Sequence, residues 1–127
     1  VSIQIKWANP EQTAILLEFE RGWSWDDLYG AIKRADNLIT SVSHTVNLII
    51  DIRQAGGLPR DFMRVASDVF EQGEARPNEG MKIVVGAGWL IQGAYNTFQK
   101  VYGHRLQNRP FIFASSLDEA YTMLEKA

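Results

Sequence analysis

Apolar positions along this chain change their period several times, and each change marks a new element. Ile3, Ile5 and Trp7 alternate with Gln4 and Lys6, a period of two that predicts a strand with one buried face. Lys6 on the polar side suits a sheet edge, where a charge discourages pairing with another chain. Asn9-Pro10-Glu11-Gln12 predicts a turn, because Pro10 fixes one φ angle and Asn9 can bond its own backbone. Residues 14–19 (AILLEF) read as a second strand, and the short link between the two favours an antiparallel hairpin.

The period then lengthens. Ser24, with Asp27 three residues on, forms a carboxylate variant of the capping box, and Asp26 suits the positive end of the helix dipole. Trp23 and Leu28 occupy the staple positions around that cap. Leu28, Ile32, Ala35, Ile39 and Val42 recur at helical spacing. Gly30 costs about 1 kcal/mol against alanine, which the stripe outweighs. Residues 46–52 (VNLIIDI) are mostly apolar on both parities, as in a parallel strand covered on two faces. After Gly56-Gly57, Pro59 suits a first helical position, and Phe62, Val65, Ala66, Val69 and Phe70 make a second stripe ending near Gly73. Residues 81–85 (MKIVV) predict a fourth strand. Gly86-Ala87-Gly88 leads to a third stripe, Ile91, Ala94, Tyr95, Phe98 and Tyr102, stopped by Gly103. Phe111-Ile112-Phe113 is a short fifth strand, and Ser116-Leu117-Asp118-Glu119 is a full capping box for a last helix.

The order ββαβαβαβα predicts an α/β domain spanning residues 1–127: a single open, mostly parallel five-stranded sheet with four helices. The first strand is the expected antiparallel exception at one edge. Length and balance agree, since 127 residues with 46% hydrophobic and 22% charged positions suffice for one globular core.

Charge and composition then narrow the function. Thirteen basic against fifteen acidic residues give a net charge of −2, too weak a field to make nucleic acid or an anionic membrane a default partner. With no cysteine, thiolate nucleophiles and thiolate zinc sites are excluded. No apolar run approaches the roughly 20 residues of a membrane-spanning helix. The start, Val1-Ser2-Ile3-Gln4-Ile5, lacks the basic and long apolar stretches of a secretory leader, so a cytoplasmic chain with no membrane insertion is expected.

In open α/β sheets, ligands gather beyond the carboxyl ends of the strands. Those ends carry Arg53, Gln54, Gly56 and Gly57, then Gly86, Gly88 and Trp89, then Ser115 and Ser116. Free N–H groups at helix starts can hold an anion there, and Arg53 can add a charge-assisted bond. The simpler role of these residues is to make tight turns and cap helices. Gly86-Ala87-Gly88 is not a dinucleotide fingerprint, because Ile91 stands where a third small residue is needed, and no Walker lysine exists.

His44 and His104 are expected at the opposite, amino edge, without further ligands at metal-binding spacing. No nucleophile elbow occurs. Asp26 and Asp27 are explained by the helix dipole, and so are Lys100, His104, Arg105 and Arg109 at a helix end. Trp23, Trp25 and Trp89 all sit at helix starts, and Trp25 precedes the exposed-side candidate Tyr29 by one turn. Tryptophan in such places is enriched in binding hot spots.

Three stretches carry a family resemblance: Val46-Asn47-Leu48-Ile49-Ile50-Asp51-Ile52, Lys82-Ile83-Val84-Val85-Gly86, and Phe111-Ile112-Phe113 with Ser116-Leu117-Asp118-Glu119-Ala120. With the element order, they resemble the STAS superfamily, which holds the anti-sigma-factor antagonists and SpoIIAA-like proteins, over nearly the whole chain. The resemblance implies a non-catalytic regulatory module that docks a protein partner or a second copy of itself, with no cofactor. Some members are thought to bind small or lipidic ligands, so an anionic or amphiphilic molecule at the carboxyl edge is the alternative. The antagonists' phosphorylated serine or threonine does not carry over. The matching loop, Arg53-Gln54-Ala55-Gly56-Gly57-Leu58-Pro59, has no hydroxyl.

Overall fold

The alternation at the start of the chain does build a sheet edge. In the computed structural model, which describes residues 2–56, 78–86 and 111–125, β1 (Ile3–Trp7) runs antiparallel to β2 (Ala14–Glu20), with Ile5 opposite Leu17. The Asn9 turn closes the hairpin: its Oδ1 accepts from Thr13 N at 3.0 Å, and Gln12 takes a left-handed φ of 58°.

β3 (Val46–Gln54), β4 (Glu79–Val85) and β5 (Phe111–Ala114) extend the sheet in the order β1-β2-β3-β4-β5. The last four strands are mutually parallel. α1 (Trp25–Thr40) follows β2, and α2 (Leu117–Glu125) follows β5. The helices expected over residues 59–72 and 89–102 lie outside the described residues.

The sheet is covered on both faces, which explains why β3 carries apolar residues of both parities. Val46, Leu48, Ile50 and Ile52 pack with Leu28, Ile32, Ala35 and Ile39 of α1. Ile49, of the other parity, packs with Leu16, Ile83, Val85 and Ala120 of α2. The cap at α1 forms as read: Asp27 N donates to Ser24 Oγ at 3.1 Å and Ser24 N to Asp27 Oδ2 at 3.0 Å.

At the amino edge, Asn78 ties three segments together. Its Nδ2 lies 2.9 Å from Ile39 O, 3.1 Å from Val42 O and 3.1 Å from His44 O, while its backbone carbonyl accepts from Val46 N at 2.8 Å. The exposed carbonyls of a helix end need such a donor. Asn78→Ala should therefore lower the unfolding free energy by about 2 kcal/mol, read from urea denaturation. A loss within error would show that water replaces the amide. His44 stands exposed on the same edge, its Nε2 2.7 Å from Gln12 O.

The outer side of β1 is guarded. Ala8 N donates to Ala14 O and Glu20 N to Ser2 O, so the even-numbered residues of β1 bond to β2. By the antiparallel pattern, the backbone groups of Ile3, Ile5 and Trp7 then face outward. Arg34 of α1 reaches over and donates from Nη2 to Ile3 O at 3.3 Å. Lys6 pairs with Glu18 at 3.3 Å, leaving charge along the edge.

Candidate functional site

Parallel strands deliver their carboxyl ends to one side of the sheet. β3 ends in Arg53 and Gln54, followed by Ala55 and Gly56. β4 leads into Gly86, and β5 into Ser115 and Ser116. β2 ends on this side too, because it is parallel to β3. It contributes Arg21, Gly22, Trp23, Ser24 and Trp25.

Arg53 is held from below. The carboxylate of Asp51, only 3% exposed, accepts from Arg53 Nε at 2.9 Å, from Nη2 at 2.8 Å and from the backbone N of Arg53 at 3.0 Å. In a strand, residues two apart share a face, so the pair needs no bend in the chain. Hydrogen bonding to Asp51 first, and its charge second, raise the Arg53 pKa, while burial opposes them weakly. A raised pKa contributes stability fully present below the unfolded-state value and lost only as pH climbs through the folded one. The guanidinium of Arg53 therefore stays charged throughout the neutral range.

Gly86 presses on this arginine from β4. It has φ +93°, and a Cβ there would lie 2.5 Å from Arg53 Cγ and 3.0 Å from Arg53 N. Only a residue without a side chain lets the two strand ends lie so close.

Two open clefts meet over Gly56. One, of about 420 Å³, is lined by Glu20, Arg21, Arg53, Gln54 and Gly56. The other, of about 370 Å³, is lined by Arg21 to Trp25 with Ala55 and Gly56. Its aromatic wall is a chain of edge-on contacts. Phe19 and Trp23 have ring centroids 5.1 Å apart at 78°, and Trp23 and Trp25 are 5.0 Å apart at 86°. Such pairs resist reorientation. Both tryptophans rest on the α1 side of the core. Tyr29, one turn on, is 48% exposed.

No family model matches this chain, and no curated protein does.

Charge at the rim is unevenly spent. Glu18 is paired with Lys6 and Asp51 with Arg53, while Glu20 keeps its charge, its Oε1 accepting from the neutral Gln4 amide at 2.9 Å. Arg21 is exposed, and among the described residues its side chain has no hydrogen bond or ion pair.

The structure brings Arg53, Gln54 and Gly56 into one cleft. Ser115 and Ser116 sit above β5, two strand spacings or about 10 Å from β3. Their hydroxyls serve the start of α2: Glu119 N donates to Ser116 Oγ at 3.1 Å, and Ser115 Oγ donates to the Glu119 carboxylate. Gly57, Gly88 and Trp89 lie outside the described residues, as does His104. Sequence reasoning missed Arg21 and Asp51. The signal for Arg21 was available: a strand entering a parallel crossover must end on the ligand-bearing edge. Asp51 was readable as the same-face partner of Arg53.

Proposed function

We propose that this chain is a non-catalytic, STAS-like docking module, cytoplasmic in location, whose carboxyl rim holds a protein partner. A mostly parallel sheet with one antiparallel edge strand and helices on both faces supports the STAS-like reading. The observation that carries the docking reading is Arg21, exposed and without a polar partner among the described residues, which lines both open clefts beside the Asp51-locked Arg53 and the Trp23–Trp25 pair. Arginine and tryptophan are the residues most often found at binding hot spots. Among the described residues at this rim, Ser24 and Ser116 cap helices and Ser115 donates to the Glu119 carboxylate.

The test compares the tagged chain with its Arg21→Glu, Trp25→Ala double variant in quantitative pull-downs from the native cell. We expect at least one protein held by the unaltered chain to fall about tenfold or more with the variant, a hot-spot-sized loss. Identical captured sets would sink the docking reading.

Cleft volumes of about 370 and 420 Å³ also favour the second reading, a small anionic or amphiphilic ligand. Native mass spectrometry of the purified chain distinguishes it by a co-purified molecule that the same variant loses.

A further inference from the structure

Independently of the rim, we propose that the outer face of α1 docks on the same face of a second copy of this chain, the two helices antiparallel about a two-fold axis between Tyr29 and Gly30. The juxtaposition behind it is one stripe. Asp26, Tyr29, Gly30 and Lys33 are all exposed and recur at helical spacing, on the side away from the buried Leu28, Ile32, Ala35 and Ile39.

This stripe is a poor choice for a face that meets only water. Tyr29, 48% exposed, is the most exposed large hydrophobic side chain among the described residues. Gly30 stands mid-helix, where glycine is the weakest helix former after proline. Its φ is not left-handed, and a Cβ there would meet nothing within 4 Å. Neither the backbone nor the packing of this chain therefore calls for glycine. A bare notch beside a ring does fit the close approach of another helix.

Charge selects the occupant. Among the described residues, the side chains of Asp26 and Lys33 make no hydrogen bond or ion pair. They stand about 10 Å apart along the helix, too far to neutralise each other. The neighbouring Asp27 and Arg34 are engaged, one in the helix cap and the other at Ile3 O. In the antiparallel pair, each Tyr29 lies opposite the other copy's Gly30, and each Asp26 opposite the other copy's Lys33. Two rings fill two notches, and two ion pairs close the ends. A parallel pairing would instead set Asp26 against Asp26 and Lys33 against Lys33. One helix pair buries less than the roughly 1,200 Å² of a stable interface, so the dimer is weak, with a dissociation constant on the order of 100 µM. None of the four residues lines either rim cleft, so rim docking and this contact stand or fall separately.

The experiment is sedimentation equilibrium of the full chain from about 10 µM to about 1 mM at low salt. The unaltered chain should pass from monomer towards dimer across that range. Asp26→Lys and Lys33→Asp each bring like charges together twice and should weaken association about tenfold. An equimolar mixture of the two variants should restore it, because each then finds the opposite charge across the axis. Gly30→Gln should also weaken association about tenfold, by filling the notch, while raising the thermal midpoint by about 3 °C as a better helix former in open space. Those opposite signs separate the contact from the fold.

A chain that stays monomeric to the top of the range overturns the proposal. So does a dimer indifferent to both charge reversals, or one that the mixture of folded variants fails to restore. Should either reversal unfold the chain, Gly30→Gln decides alone, and an unchanged dimer rejects the α1 contact.

Discussion

Gly86→Ala should destabilise the fold by about 3 kcal/mol and lower the thermal midpoint by roughly 10 °C. Part of the loss is conformational. At φ +93° a residue with a Cβ is strained by itself. The rest is steric. The new methyl would lie 2.5 Å from Arg53 Cγ, and rotation of that side chain does not relieve the contacts at 3.0 Å to its N and 3.1 Å to its Cα. Those backbone atoms follow directly on the Asp51–Val85 pairing of β3 and β4, so the strands must part to make room. Urea denaturation followed by circular dichroism measures the change. A loss below about 1 kcal/mol would mean that the rim yields where we describe it as tight.

Asp51→Ala should cost about 2 kcal/mol, read from urea denaturation. The substitution removes three hydrogen bonds, one of them to a backbone N–H. The figure is held low because Arg53 is 44% exposed at its side chain and can turn to water when its partner is gone. Asp51→Asn keeps an acceptor for the backbone and should lose only about 1 kcal/mol. The two variants then separate the backbone contribution from the charge. Equal losses for both would show that charge alone matters.

What could be read in the sequence was local. The hairpin, the Ser24–Asp27 box and the two-faced strand over residues 46–52 all depend on neighbours within a few positions, so periodicity and capping chemistry expose them. β4 begins at Glu79, two residues earlier than its apolar run, because Val46 pairs with Glu79 before the first buried side chain of β4. Burial alone does not announce such pairing.

The site was legible only in part, for a physical reason. Arg53, Gln54 and Gly56 were visible as residues that close a parallel strand. Arg21 was overlooked although β2, expected parallel to β3, ends on the same edge. Trp25 suggested a partner one turn along the helix at Tyr29. The structure sets it edge-on to Trp23, and Trp23 in turn braces against Phe19 from β2. Contacts across the start of a helix have no period to betray them.

The arginine that bridges from α1 to the first strand has a wider consequence. A strand arriving from another molecule would have to evict Arg34 from Ile3 O before its ladder could begin there, and would meet the ammonium of Lys6 two rungs later. On that flank the lamina is terminated rather than merely ended, and strand addition there carries the cost of displacing an arginine.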